Sequence, residues 1–223
     1  GDRVEALAGA IVGSLNNILV GHIEGGELSG TVDELIRHSV SKLSHIHFVS
    51  NKMAAKRLVQ MGELESSIFT IGSADLDVLF SSQLPSLETV KTYYDISFDE
   101  YAVVLYHPVT TDLSNTKSYA AHFVATLLQD DTNYIVIYPN NDLGSNEILA
   151  EYEKLKNNPR FRIFPSLRFE YFITLLKNAR FLIGNSSAGI HEAPYLGIPT
   201  VNIGRRQENR DLYTNTIVHV ANT

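Results

Sequence analysis

Arg180-Phe181-Leu182-Ile183-Gly184-Asn185-Ser186-Ser187-Ala188-Gly189, followed by Ile190 to Leu196, decides the fold. The apolar run reads as a short buried strand that empties through glycines and hydroxyls into a helix. Such a junction aims free backbone N–H groups, and the positive end of the helix, at one point in space. The segment is therefore a candidate cradle for phosphate, and strand, turn and helix in that order form the repeating unit of a parallel α/β sheet.

The same alternation extends in both directions. Before the segment come strands at Ala102 to Tyr106, Tyr134 to Tyr138 and Phe161 to Phe164, separated by helices at Ser118 to Gln129, Asn146 to Lys156 and Phe169 to Asn178. After it come strands at Thr200 to Ile203 and Ile217 to Val220. A helix at Leu87 to Tyr94 leads in. The amino-terminal part reads as helix Val4 to Leu15, strand Ile18 to Ile23, helix to about Lys42, strand Ile46 to Val49, helix Asn51 to Met61 and strand Ile68 to Ile71. Thr31-Val32-Asp33-Glu34 is a capping-box pattern that opens the second of those helices. Leu76 to Pro85 carries Ser81-Ser82-Gln83 and Pro85 and reads as a crossing between two lobes, 1–80 and 81–223. The first lobe opens on a helix with no strand before it, so it is expected to be incomplete. The last strand is expected to lack the closing helices that cover a parallel sheet.

Composition limits the partner. A net charge of −7 argues against nucleic acid, which needs a basic surface. The basic residues cluster instead, with Arg205, Arg206 and Arg210 together and Arg37 beside His38. That pattern suits a small anionic ligand. The absence of cysteine excludes thiolate catalysis, disulfides and cysteine-ligated zinc, and fits a cytoplasmic location. No run approaches the ~20 apolar residues of a membrane span. No metal-ligand cluster stands out in the sequence.

Ligands of open parallel sheets lie outside the carboxyl ends of the strands. The polar residues there are Asp2-Arg3, His22 with Glu24-Gly25-Gly26-Glu27, His107-Pro108-Val109-Thr110-Thr111, Pro139-Asn140-Asn141-Asp142, Ser186-Ser187 and Gly204-Arg205-Arg206-Gln207. The first lobe supplies mostly carboxylates, including Asp33. The second supplies hydroxyls, amides, a histidine and arginines. Carboxylates paired with an anion-binding lobe suggest proton transfer on a substrate that carries a phosphate or diphosphate.

The opening Gly1-Asp2-Arg3-Val4-Glu5-Ala6-Leu7-Ala8, the run His22-Ile23-Glu24-Gly25-Gly26-Glu27-Leu28-Ser29-Gly30-Thr31-Val32-Asp33-Glu34, the pair Arg37-His38, His107-Pro108-Val109-Thr110-Thr111 and Gly184-Asn185-Ser186-Ser187 together resemble the hydrolysing UDP-N-acetylglucosamine 2-epimerases of sialic acid and capsule biosynthesis. The resemblance runs through the whole chain in order. It implies two Rossmann-like lobes of the glycosyltransferase-B type with UDP-sugar between them, the first lobe lacking its opening half. It further implies a cytoplasmic homo-oligomer that needs no cofactor. The implied reaction eliminates UDP across carbons 1 and 2 to give 2-acetamidoglucal. Water then adds with inversion at carbon 2, releasing N-acetylmannosamine.

By that resemblance Asp2, Glu24 and Asp33 are the acid/base carboxylates, and His107 lies near the diphosphate, neutralising charge or assisting the leaving group. Ser186 and Ser187 hold phosphate, Glu192 the ribose hydroxyls, and Arg206 matches the arginine of the family's Gly-Thr-Arg-Gln loop. Arg3 and Asn140 are further nucleotide contacts. Each residue also has a plainer reading. Asp2 complements a helix dipole, Asp33 sits in a capped first turn with Arg37 at i+4, His107 is a turn residue before proline, the serines are helix caps, and Glu192 is an exposed helix residue. Glu24 is the hardest to explain structurally, because an acid between a strand and two glycines stabilises nothing obvious. Phe161, Phe164, Phe169, Tyr171 and Phe172 read as core.

Three positions depart from the family pattern. His191 stands where arginine is usual, Arg205 replaces a threonine, and Ala74 replaces a proline in the Gly-Ser-Pro-Asp turn. Three alternatives stay open: a hydrolysing epimerase for a UDP-diacetamido-trideoxy sugar on the legionaminic acid route, a non-hydrolysing epimerase, and a chain that binds UDP without turning it over. Gly25-Gly26-Glu27 favours the hydrolysing branch.

Overall fold

The computed structural model describes residues 3–29, 32–208 and 215–222. Asp2, Thr31 and Arg210, each singled out above, lie outside the described residues. The chain divides into two compact units, the first reaching Asp77 and the second running from Val78 to Gln207 and taking in the last strand.

The first unit contains α1 (Val4–Leu15), β1 (Gly21–Ile23), α2 (Val32–Lys42), β2 (Ile46–Val49), α3 (Lys52–Gln60) and β3 (Ile68–Thr70). The strands pair in parallel in the order β1-β2-β3, with His22 opposite His47 and Phe48 opposite Phe69. Asn51 starts α3 by accepting the Ala54 N–H on its side-chain oxygen at 2.8 Å, satisfying one of the orphan donors of the first turn. β1 begins at Gly21, later than the apolar run from Ile18 predicts. Asn17 enters the left-handed region (φ 58°) and the Ile18 N–H returns to the Gly13 carbonyl at 2.9 Å, so these residues terminate α1. A short helix, α4 (Ala74–Leu79), occupies the start of the segment read as a crossing.

In the second unit α5 (Leu87–Tyr93) precedes β4 (Ala102–Leu105), α6 (Thr116–Gln129), β5 (Tyr134–Ile137), α7 (Ser145–Tyr152), β6 (Phe161–Phe164), α8 (Phe169–Lys177), β7 (Leu182–Gly184), α9 (Glu192–Tyr195), β8 (Thr200–Ile203) and β9 (Ile217–Val220). All six strands are parallel, in the order β6-β5-β4-β7-β8-β9. Every residue of β4 and β5 is buried, as expected of strands covered on both faces. Ala102, Val104 and Val136 pack with Ala120, Val124 and Leu127 of α6 and with Ile148 and Tyr152 of α7. Of the aromatic series read as core, Phe161 and Phe172 are buried, whereas Phe164, Phe169 and Tyr171 are half-buried. No helix among the described residues is long and apolar enough to cross a membrane.

The helix expected from Ile190 to Leu196 takes another form. Ser187–Gly189 makes a 3-10 turn and α9 holds only four residues. Pro194 has no N–H to give the Ile190 carbonyl, so a helix cannot run unbroken from Ile190. The dipole of so short a helix is small, so α9 adds little positive potential at the turn after β7.

Candidate active site

The strand order of the second unit reverses between β4 and β7. Loops leaving the carboxyl ends of those two strands diverge to opposite sides, opening the crevice where ligands of such sheets bind. Gly184 makes this divergence possible. Its φ is 145°, and a Cβ there would stand 1.9 Å from the Leu105 carbonyl oxygen, so no other residue fits beside β4.

Asn185 follows, with 0% exposure. Its side-chain oxygen accepts the His107 N–H at 2.7 Å, and its side-chain nitrogen donates to the His107 carbonyl at 2.8 Å. The His107 ring is held in turn, because Nδ1 accepts the Asn140 backbone N–H at 3.1 Å. That bond puts the ring proton on Nε2, making His107 a neutral donor at that nitrogen. Arg206 and Gln207, in the loop after β8, both donate to the Asn185 carbonyl, at 3.3 and 2.8 Å.

The structure thus brings His107, Asn140, Ser186 and Arg206 together around one asparagine. Ser186 has a capping role, since its hydroxyl accepts the Ala188 N–H at 3.3 Å, as its plainer reading expects; the hydroxyl proton is left to donate. Ser187 is half-buried beside it. Glu192 is 9% exposed, which overturns its reading as an exposed helix residue. A carboxylate buried at the start of α9 is costly unless something polar engages it. Among the described residues, buried Thr110 Oγ1 after β4, Asn140 Oδ1 after β5 and Gln207 Oε1 after β8 find no protein partner. Buried polar groups are normally satisfied, so atoms of this kind are what a polar ligand would engage.

In the first unit the loop after β1 is shaped by its two glycines. A Cβ on Gly25 would lie 2.7 Å from His22 Nδ1 and 2.9 Å from Ser41 Oγ, and one on Gly26 (φ 77°) would lie 2.5 Å from the Ala54 carbonyl oxygen. The loop therefore packs flush on α2 and α3. Buried His22 engages Ser41 at 3.0 Å beneath it, and Ser41 donates to the Arg37 carbonyl at 3.2 Å. Glu27 acts as a brace. Its carboxylate accepts from the Ser50 hydroxyl and from Asn51 Nδ2, while its carbonyl takes an Arg37 Nη1 bond of 3.0 Å.

Glu24 does something different. Its backbone lies in the left-handed region (φ 62°), which costs a non-glycine residue about 1–2 kcal/mol. Its N–H is tied to the Phe48 carbonyl at 2.7 Å, and its half-buried carboxylate accepts the Ser73 hydroxyl at 2.6 Å. Strain held in place by surrounding bonds is a mark of functional positions. Asp33 is half-buried in the first turn of α2, where Glu34 accepts the Ser29 N–H at 2.8 Å. Arg3 is exposed immediately before α1.

Sequence reasoning assigned no role to Ser73, Asn185 or Gln207. Asn185 follows the strand-end glycine and Gln207 the arginine pair, so both stood within segments already marked. Ser73 stood in the Gly-Ser-Pro-Asp turn noted for Ala74, without a role of its own.

A family model described as UDP-N-acetylglucosamine 2-epimerase matches residues 1–223. The chain is 56% identical over 219 residues to a UDP-N-acetylglucosamine 2-epimerase of Neisseria meningitidis serogroup B, covering 98% of this chain and 58% of that protein. It is 37% identical over 218 residues to a UDP-N,N'-diacetylbacillosamine 2-epimerase (hydrolyzing) of Legionella pneumophila, covering 97% of this chain and 58% of the other. Among solved structures, the UDP-GlcNAc 2-epimerase of Methanocaldococcus jannaschii in complex with UDP-GlcNAc and UDP matches with a TM-score of 0.80 at 23% identity, over 100% of this chain and 64% of that one. The chain belongs to the UDP-N-acetylglucosamine 2-epimerase family, and its α/β architecture of parallel Rossmann-like sheets is of the glycosyltransferase-B type. It spans about 58% of the length of these curated relatives.

Proposed function

We propose that the protein is a hydrolysing UDP-N-acetylglucosamine 2-epimerase, converting UDP-GlcNAc and water to N-acetylmannosamine and UDP at an early step of sialic acid or capsule synthesis. In this reading the second unit, with the lobe taken as 81–223, holds UDP. The first, taken as 1–80, supplies the acid/base carboxylates. The observation that carries it is the gathering of His107, Asn140, Ser186 and Arg206 around Asn185 at the switch point of the sheet.

Arg206 and the serine hydroxyls face the diphosphate, which gains negative charge as the bond from carbon 1 to oxygen breaks. His107 gives a hydrogen bond from Nε2 to the departing phosphate. Glu192 takes the ribose hydroxyls, and Arg3 and Asn140 add nucleotide contacts. A carboxylate of the group Asp2, Glu24 and Asp33 removes the proton at carbon 2, and its electron pair forms the double bond of 2-acetamidoglucal as UDP leaves. In the second half water adds its oxygen to carbon 1 and gives up a proton to a carboxylate of the same group, while a carboxylic acid of that group returns a proton to the opposite face of carbon 2. The Glu24 backbone strain and its Ser73 bond support a catalytic assignment for Glu24 over a structural one.

Incubating the intact protein with UDP-GlcNAc in deuterated water, followed by proton NMR, tests the reading. Deuterium is expected at carbon 2 of free N-acetylmannosamine. Epimerised UDP-sugar would mark a non-hydrolysing enzyme, and unchanged substrate would remove the assignment. The 37% identity to a UDP-N,N'-diacetylbacillosamine epimerase supports a second reading of the substrate, with an acetamido group at carbon 4. Offering both UDP-sugars in competition decides between them.

A further inference from the structure

Asn185 spends every polar group it owns inside the protein. Its N–H donates to the Leu105 carbonyl at 3.0 Å, its carbonyl accepts from Arg206 and Gln207, and both ends of its side-chain amide engage the His107 peptide. The β4–β7 ladder has its last register pair at Leu105 and Gly184. Beyond that point the two chains separate, and the Asn185 amide imitates a peptide group, carrying the ladder one residue further. The frame of His107 is thereby fixed at the place where regular sheet pairing can no longer fix it. Asn140, bonded to the His107 ring, and Arg206, bonded to the Asn185 carbonyl, are referred to the same residue. Four loops, those after β4, β5, β7 and β8, share this one reference.

We propose that Asn185 is a positioning residue of the diphosphate site, acting on substrate only through His107 and Arg206; the proposal rests on the UDP-sugar reading above. No substituent replaces it. Aspartate keeps the acceptor for the His107 N–H but sets a second oxygen against the His107 carbonyl, where donor and acceptor now lie 2.8 Å apart, and adds negative charge beneath a phosphate. Alanine leaves the His107 N–H and carbonyl without their partner.

The test uses the intact protein, with UDP affinity measured by calorimetry and turnover of UDP-GlcNAc measured in parallel. Asn185→Ala is expected to weaken UDP binding by about 10- to 100-fold, the loss expected when one or two hydrogen bonds to a charged phosphate, from His107 and Arg206, are no longer aimed. His107→Ala in the Asn185→Ala background is expected to cost little more, because a ring that is no longer aimed has little left to lose. 15N spectra should show the His107 ring as the Nε2–H tautomer in the unsubstituted protein and as a tautomer mixture in Asn185→Ala. Additive losses, an unchanged tautomer or undiminished UDP affinity would each overturn the proposal. If Asn185→Ala does not fold, Asn185→Asp is read instead, with a loss of about tenfold or more expected and equal affinity overturning. An unsubstituted protein that fails to bind UDP overturns the functional reading and this inference with it. One that binds UDP with Asn185 indifferent overturns this inference alone.

Discussion

The Ser73 hydroxyl donates to Glu24 Oε1 at 2.6 Å, joining the loop after β3 to the loop after β1. Glu24 sits in left-handed backbone, and the contact of its carboxylate with Ser73 is what directs Oε1. A hydrogen bond to a charged group is worth about 1.5–3 kcal/mol, and its loss here releases the carboxylate from its rotamer. Ser73→Ala is expected to lower kcat by roughly tenfold or more with the UDP Kd unchanged, and Ser73→Thr to recover most of the loss. Steady-state kinetics beside calorimetry check this, and an alanine variant with full kcat would mean that Glu24 does not depend on Ser73.

Glu24→Gln preserves the shape of the side chain and its ability to accept from Ser73 while removing its basicity. Turnover is expected to fall by about a hundredfold or more, in line with the loss of a positioned acid/base group, with UDP affinity kept. Loss of UDP affinity at constant kcat would recast Glu24 as a binding residue.

Gly184→Ala places a methyl group 1.9 Å from backbone, with no flexible side chain to yield, in a conformation that side chains rarely adopt. A loss of about 4 kcal/mol or more is expected, at the exceptional end for single substitutions. Gly62→Ala is the control, since it shares a positive φ (90°) but meets nothing within 4 Å. It should cost only about 1–2 kcal/mol. Denaturant midpoints compare the two, and equal losses would mean that conformation, not the Leu105 contact, sets the cost.

The strands were legible because parallel strands covered on both faces are short unbroken apolar runs. Ala102–Leu105 and Tyr134–Ile137 are such runs, each stopping one residue short of its predicted end, whereas Ile46–Val49, Phe161–Phe164, Thr200–Ile203 and Ile217–Val220 fall at their predicted bounds although His47, Arg162, Asn202 and His219 interrupt them. The misreadings are local conflicts. Ile18 and Leu19 are apolar enough for a strand, yet they end α1 and stand exposed at 57% and 69%. Pro194 was visible, but the pull of the flanking residues toward helix concealed that it forbids the bond Ile190 would need. The site was legible as a set of strand-end segments and not as a network. The Asn185–His107 bonds span 78 residues of chain and the Ser73–Glu24 bond 49, distances over which no periodicity carries information. The plainer alternative for Glu192, an exposed helix residue, fails for the same reason, because the packing around α9 buries it.

Acid sensitivity should come from β2. His47 is fully buried, with Nε2 at 3.3 Å from Glu63 Oε2, and Glu63 also holds Lys42 through a 2.7 Å ion pair. Burial pushes the His47 imidazole below its ordinary value, against a smaller upward pull from the Glu63 carboxylate. As pH falls, the unfolded chain therefore takes up the proton first. The folded state keeps its full advantage above the ordinary value of 6.5 and loses it progressively as pH drops from there toward the depressed folded value. His38 shifts in the same direction, also through burial, so the two residues share the slope. Unfolding free energies measured by denaturant from about pH 8 to about pH 5 should decline below the histidine range. His47→Gln, which cannot take up the proton, should show a shallower decline, leaving the part that belongs to His38. An identical slope in the variant would show that the buried imidazole of β2 is not the titrating group.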